Sequence, residues 1–455
     1  MRILMSEPHS LKFYFVSLGC DKNLVDSERM LALLSAHGFV LTDSEEEADI
    51  AVINTCCFIE DAKKESIERI FDLARLKETA HLKVLIAAGC MAQRYSEEIL
   101  KDIPEVDAIV GTTGVDRIVE AAEEALIGHR TAAVRDPSLD PPAKEAGRML
   151  STGGHYAYLK IAEGCDKRCT YCAIPDFRGH FRSFPMEDLI REAEMLASRG
   201  VTELILVAQE TTLYGTDLYG RKCLHELLKK LCRIESIRWI RLLYCYPEEI
   251  YPELIAVMAE EEKICHYLDL PIQHASDAVL KRMNRRTTKK DLTDLIASLR
   301  KEIPDIVLRT TLITGFPGET EEDHEEVLHF VEDMQFDRLG VFMYSQEEGT
   351  PAAGMKPQIT KKVKKRRMDE IMRLQQKISL AKNVSRVGQT MDAFVEGRIP
   401  EEGVYIARTR GDAPQVDGFL FFESSRELMS GDLVRVKIVS ASEYDLKGEM
   451  IDGCD

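Results

Sequence analysis

The sequence predicts an α/β multidomain chain with three folded parts. These are an N-terminal doubly wound parallel α/β domain, a central open (β/α)6 barrel and a small C-terminal antiparallel β-barrel. Three observations carry this reading. Apolar strand-like runs alternate with amphipathic helical stretches over residues 11–127, the pattern of a parallel sheet with crossover helices. A second, longer alternation occupies residues 153–357. From residue 387 to 455 the pattern changes to short strands separated by turns, as in a small barrel.

In the first segment, strands are expected at Lys12–Leu18, Asp49–Asn54, Lys83–Ala88 and Ala108–Val110. Helices are expected near Asn23–Ala36, Ala62–Leu76, Ser96–Lys101 and Val115–Leu126, with Gly38 just past the first as a stop signal. Cys20, Cys56 and Cys90 each come just beyond one of the first three strands. The carboxyl edge of an open α/β sheet is where ligands bind, and one βα unit separates each cysteine from the next. A three-thiolate site is the sharp reading and three small core residues the plain one. Cys57, next in line to Cys56, points away from such a site and reads as packing.

Residues 128–152 contain Asp136-Pro137-Ser138-Leu139-Asp140-Pro141-Pro142 and little periodic hydrophobicity, and read as a linker. Beyond it, six strands are expected at Ala157–Ala162, Glu203–Val207, Ile237–Leu243, Tyr267–Leu270, Ile306–Ile313 and Arg338–Tyr344. Helices fill the gaps at about 186–198, 222–233, 248–260, 276–300 and 320–333. Chemistry in such barrels sits at the carboxyl ends of the strands. Gln209 and Glu210 follow the second strand, where an amide and a carboxylate can hold an amino or ribose group. Gly315 and Glu319 follow the fifth, where glycine lets backbone approach a ligand. A plain strand-to-helix turn accounts for these glycines equally well. His274 reads as a hydrogen-bonded structural residue rather than a proton carrier.

The densest chemical signal follows the first barrel strand, in Gly164-Cys165-Asp166-Lys167-Arg168-Cys169-Thr170-Tyr171-Cys172. Iron–sulfur clusters are usually held by four thiolates. Here the next cysteine is Cys223 and the nearest histidine His180, so the spacing C-x3-C-x2-C leaves one iron open to a substrate or cofactor. A structural zinc site is the competing reading, but it needs a fourth ligand.

Residues 358–386 read as one connecting helix with a basic run at Lys361, Lys362, Lys364, Lys365, Arg366 and Arg367. A solvated helix face explains such a run more simply than nucleic-acid contact. The terminal strands are expected at Met391–Glu396, Val404–Arg408, Phe419–Phe422, Leu433–Ser440 and Asp445–Glu449. From Val387 onward seven Lys and Arg face fourteen Asp and Glu, so this barrel should repel phosphate and attract a basic polypeptide.

No apolar run approaches the length of a membrane span, and the first residues lack the apolar core of a secretory signal. A cytoplasmic location is expected. Twelve cysteines in such a chain point to metal or redox chemistry, and a net charge of −18 argues against nonspecific nucleic-acid binding.

The Cys165–Cys172 loop, with Tyr171 before its last cysteine, resembles the signature of the radical S-adenosylmethionine (SAM) enzymes. Nearly the whole chain resembles their methylthiotransferase branch, with its N-terminal domain, radical SAM barrel and TRAM-like terminal barrel. Ser17-Leu18-Gly19-Cys20-Asp21-Lys22-Asn23-Leu24-Val25-Asp26-Ser27-Glu28, Tyr267–Ser276 and Asp412–Gly418 are similar to members that modify a ribosomal protein rather than tRNA. Asp21 and Cys57 depart from the family, where proline and glycine are usual.

The resemblance implies a radical SAM 4Fe-4S cluster on Cys165, Cys169 and Cys172 and an auxiliary 4Fe-4S cluster on Cys20, Cys56 and Cys90. It also implies SAM bound at the open iron; Tyr171 and the strand-end residues Gln209, Glu210, Gly315 and Glu319 are the expected SAM contacts. The reaction implied is hydrogen abstraction from the β-carbon of an aspartate in ribosomal protein S-twelve, followed by methylthio insertion. One SAM would generate the radical and another would donate the methyl group. A monomer served by an electron donor such as flavodoxin or ferredoxin is expected. The alternatives are tRNA adenosine methylthiolation and a non-catalytic metal-binding module.

Overall fold

The structure, a computed structural model, describes residues 11–137 and 147–451. Part of the predicted linker, Ser138 to Ala146, lies outside the described residues, as do Cys454 and the first ten residues. The chain forms two compact units. One holds the residues up to Ser151 with Glu163–Lys167 and Cys172–Arg182. The other holds Thr152–Ala162, Arg168–Tyr171 and everything from Ser183 on.

The first unit is built on a six-stranded parallel sheet. In spatial order its strands are Val40–Leu41, Lys12–Ser17, Ile50–Thr55, Val84–Ala88, Ala108–Val110 and Thr131–Ala133. Helices Asp21–Ala36, Glu60–Thr79, Gly89–Arg94, Ser96–Asp102 and Ile118–Leu126 follow the strands. Ile50–Thr55 is buried along its whole length, as expected of a central parallel strand covered on both faces. Two strands escape sequence reading. Val40–Leu41 is only two residues long, and Thr131–Ala133 falls where a linker is expected. Both are too short to show a period, and pairing with an existing edge supplies what their sequence does not.

The second unit contains an open six-stranded parallel sheet. Its strands, in chain order, are Tyr156–Lys160, Glu203–Val207, Trp239–Leu242, Ile264–Asp269, Val307–Thr314 and Arg338–Met343. Neighbours in sequence are neighbours in the sheet. The single helix expected over 276–300 is two, Asp277–Arg282 and Lys289–Glu302. The break is chemical: Asn284 takes a left-handed φ of 58°, and Thr288 with Asp291 forms a capping box that starts the second helix.

The terminal barrel is closed in the order Thr390–Ile399, Val404–Thr409, Leu420–Glu423, Leu446–Met450, Leu433–Ala441. The expectation of an antiparallel barrel needs one correction: Leu420–Glu423 and Leu446–Met450 pair parallel. Five strands closed in a ring cannot alternate direction throughout, so one pair must run parallel.

This barrel lies against the amino ends of the six-stranded sheet. Arg408 donates to Glu203, which also accepts from Arg241 Nε at 3.0 Å. Arg338 pairs with Asp412, Tyr267 donates to Asp417 at 2.7 Å, and Phe394 packs edge-on to Trp239 at 4.3 Å. Asp412–Gly418 is therefore a charged stopper under the sheet, on the edge opposite the chemistry. The connecting helix, Lys361–Val384, spends much of its basic run within the chain. Arg366 and Arg367 bind Glu321, Arg367 also binds Glu319, and Lys365 pairs with Asp369. Among the described residues no helix is long and apolar enough to cross a membrane.

Candidate active site

Cys20, Cys56 and Cys90 leave one edge of three adjacent strands. Ser17 is in register with Asn54, Asn54 with Ala88, and Thr55 bridges Gly89. Cys20 caps the Asp21–Ala36 helix, and Cys90 lies in the first turn of Gly89–Arg94. The backbone of Cys56 is latched by Ser66, whose Oγ accepts from Cys56 N and donates to Cys56 O, both at 3.0 Å. Gly89 is required here: its φ is +89°, and a Cβ would lie 2.0 Å from Asn54 Oδ1.

Burial pushes the Cys90 thiol well above its ordinary range; Arg178 pulls it back, and the neighbouring thiols of Cys57, Cys20 and Cys56 push it further up. Cys56 is raised by burial in the same way. Buried thiols that resist ionising alone, and repel one another once ionised, are stabilised by a shared cationic centre. That donor chemistry fits an iron–sulfur cluster. Among the described residues no three His, Cys, Asp or Glu side chains are gathered as tightly as one bound ion requires. A cubane spreads its ligands over separate iron atoms, so its thiolates stand further apart. Cys57 lies in the same apolar cluster as Cys90, with Ile70, Leu73 and Leu85, and burial pushes it up to about 12.

The Cys165–Cys172 loop is held at its first cysteine and along its middle. Cys165 N–H donates to Gly179 O at 3.0 Å, and Gly164 at φ +81° leaves no room for a Cβ, which would meet His180 O at 2.0 Å. In the second unit, Thr170 N–H donates to Met283 O, its hydroxyl to Arg282 O, and Asn284 Nδ2 to Arg168 O. Tyr171 meets Phe316 edge-on at 6.5 Å, within a cluster that includes Met283 and Tyr344. Cys165 and Cys169 are buried and Cys172 is half-buried. Cys169 Sγ lies 4.0 Å from both Tyr246 OH and Arg285 Nη1, with the buried Arg285 guanidinium stacked over Tyr246.

The other strand-end residues fall on the carboxyl edge with differing surroundings. Gln209 is half-buried, and the buried Glu210 accepts from Thr212 N–H at 2.9 Å. Glu319 accepts from Phe316 N–H and Arg367, both at 2.9 Å, so it braces the turn. Gly315, at φ +71°, faces Lys364 Cγ, which would stand 2.3 Å from a Cβ. The close approach this glycine permits is made by the chain's own lysine.

His274 is buried. Its Nδ1 accepts from Ser276 N–H at 3.0 Å, and burial holds its pKa down to about 3, with Asp323 pulling the other way. The folded state therefore keeps it neutral, while the unfolded chain takes up a proton near the ordinary 6.5. Stability is lost as pH falls from 6.5 toward about 3. His274→Asn is expected to flatten unfolding free energy across that window, measured by denaturant titration at stepped pH.

Sequence reading missed Arg178 and Arg285. Arginines carry no spacing signature; only the Thr288-x-x-Asp291 capping pattern could have marked the break beside Arg285.

Comparison with known proteins gives this geometry its context. Residues 12–111 match the Uncharacterized protein family UPF0004, residues 159–331 the Radical SAM superfamily, and residues 387–451 the TRAM domain. The ribosomal protein uS12 methylthiotransferase RimO of Lachnoclostridium phytofermentans is 58% identical over 96% of this chain and 99% of its own length. The chain belongs to the RimO family of radical SAM methylthiotransferases. The RimO proteins of Acetivibrio thermocellus and Clostridioides difficile are 51% and 48% identical, each over 97% of this chain and at least 98% of their own length. Membership makes the chain an enzyme, and a radical SAM enzyme works with a 4Fe-4S cluster and SAM. The fold is also that of the radical SAM methyltransferase TsrM from Kitasatospora setae, solved with cobalamin and a 4Fe-4S cluster. The TM-score is 0.55 at 14% identity, covering 75% of this chain and 77% of that one.

Proposed function

We propose that the chain inserts a methylthio group at the β-carbon of an aspartate in ribosomal protein uS12. It would consume one SAM for radical generation and another as methyl donor. In this reading Cys165, Cys169 and Cys172 hold the cluster that binds SAM, and Cys20, Cys56 and Cys90 hold an auxiliary 4Fe-4S cluster. The observation that carries the reading is the placement of Cys20, Cys56 and Cys90 on one edge of three adjacent strands. When bound, these groups supply homolysis of a SAM carbon–sulfur bond and the sulfur to be transferred.

The residues of the chain bind, orient and exclude water. Gly164 and the Gly179 carbonyl fix the turn at Cys165, while Met283 and Arg282 fix Thr170. Tyr171, Gln209 and Glu210 line the edge as SAM contacts, with Gly315 and Glu319 shaping the turn beside them. An aspartate β-carbon bears no proton acidic enough for a general base, so no side chain need serve as one. The proposed domains are 11–127, 153–357 and 387–455, joined by 128–152 and by the helix in 358–386. The enzyme would act as a cytoplasmic monomer supplied by flavodoxin or ferredoxin.

Charge supports the substrate class. On the terminal barrel the exposed acids Asp392, Glu401, Glu402, Glu423, Glu427, Asp432 and Glu449 outnumber the exposed bases Arg398, Arg426, Arg435, Lys437 and Lys447, a balance that leans toward a basic polypeptide over a phosphate backbone. The test is anaerobic reconstitution, then incubation with SAM, reductant and either uS12 or tRNA. A mass gain of one methylthio group on a uS12 aspartate is expected. Methylthiolated tRNA beside unchanged uS12 would overturn the proposal.

A further inference from the structure

Arg178 closes the Ile174–Arg178 helix and is almost fully buried, yet it touches no solvent-facing acid. Its Nη1 donates to Asp26 Oδ2 at 2.9 Å and to both oxygens of Glu163 at 3.1 and 3.2 Å. Its Nη2 donates to Asn23 Oδ1 and lies 3.2 Å from Cys90 Sγ. The guanidinium thus joins an auxiliary-site cysteine to Glu163, which stands two residues before Cys165 in the chain. Asn23 in turn donates to Leu18 O at 3.2 Å and Thr55 O at 3.0 Å, the turns leading to Cys20 and Cys56. One cation therefore reaches the Cys90 thiol directly and the other two turns through a single amide.

A structural role alone does not require this arrangement. Burying a guanidinium is expensive, and Asp26 with Glu163 already offers two carboxylates to one positive charge. The local set of Arg178, Asp26 and Glu163 carries net negative charge before any thiolate forms. Aiming the remaining fork at a sulfur places the positive end where electron density collects. Hydrogen bonds and charge at ligand sulfurs are among the terms that set the potential of an iron–sulfur cluster.

We infer that Arg178 is the positioning residue of the auxiliary site, holding Cys90 for ligation and raising the cluster's reduction potential through its N–H contact with the sulfur. The inference rests on the proposed assignment of Cys20, Cys56 and Cys90. A positive charge beside the ligand stabilises the more negative, reduced cluster. Removing it must therefore lower the midpoint potential, and removing the opposing Asp26 charge must raise it. A purely structural brace would give shifts of one sign or none.

The test uses the full chain carrying C165A, C169A and C172A, so that only the auxiliary site can load. Iron and sulfide are counted after anaerobic reconstitution, and the midpoint potential is read by redox titration followed by electron paramagnetic resonance. Four irons per chain are expected; fewer than one would remove the cysteine assignment itself. With the cluster loaded, Arg178→Met is expected to shift the potential down, Asp26→Asn to shift it up, and Arg178→Lys to keep it near the parent. Unchanged potentials in Arg178→Met and Asp26→Asn, with the parent's iron content, would overturn the role of Arg178 and leave the assignment standing. If Arg178→Met does not load, the sign of the Asp26→Asn shift decides: an upward shift supports the inference and any other result overturns it.

Discussion

Cys90→Ala is expected to leave SAM cleavage running while methylthio transfer to uS12 falls by at least about 100-fold, since even outer-shell changes at metal sites cost up to that much. The side chain is buried beside Arg178 and Asn23, on the edge shared with Cys20 and Cys56. In the proposed assignment its removal takes one ligand from the auxiliary site and none from the Cys165–Cys172 loop. The two activities are read separately, 5′-deoxyadenosine by chromatography and modified uS12 by mass. Cys57→Ala is the control, because Cys57 shares the apolar cluster of Cys90 but is not one of the three strand-end cysteines assigned to the site. That substitution should leave both activities within a few-fold of the parent. Retained transfer in Cys90→Ala would remove Cys90 from the proposed auxiliary site.

The placement of Cys20, Cys56 and Cys90 at successive strand ends was readable in the sequence because strand alternation has a period. Glu203–Val207, Ala108–Val110 and Met186–Ser198 fall where periodicity places them. Arg178 and Arg285 were not readable, because a buried arginine is defined by partners far along the chain. Arg178 meets Asn23 across 155 residues and Cys90 across 88. The ion pairs under the barrel are hidden for the same reason: Glu203 and Arg408 are 205 residues apart. The helix break at Asn284 was legible in principle through Thr288 and Asp291, but the apolar spacing of the two helices ran together and masked it. The stretch Asp412–Gly418 stood out only by resemblance, and its charges mean little until Arg338 and Tyr267 are seen to meet them.

Those charges make the second large prediction. Glu203→Ala is expected to destabilise the second unit by about 3–5 kcal/mol, the usual cost of leaving a buried charge without its partner. Glu203 is fully buried at the first position of its strand, and it receives both Arg408 and Arg241. Burial alone would raise its pKa; the two guanidinium groups outweigh that and hold it below its ordinary 4.5. Its contribution is therefore fully present above that value and lost as pH falls below it, through the lower pKa of the folded state. Arg408 keeps Glu396 at 2.9 Å and Arg241 keeps the Arg410 carbonyl at 2.8 Å, so the loss is partial for each. Glu203→Gln, which preserves an acceptor without the charge, should fall between parent and alanine. Pairing Glu203→Leu with Arg408→Met should recover part of the loss, because an apolar replacement of a buried ion pair leaves no orphaned charge. Denaturant midpoints give the energies, and limited proteolysis shows whether the terminal barrel is released first. A midpoint unchanged in Glu203→Ala would mean that the Asp412 and Asp417 contacts alone hold the stopper. Glu203 lies at the amino edge of the sheet and Glu210 with Thr314 at the carboxyl edge, so SAM cleavage per folded molecule should be unchanged.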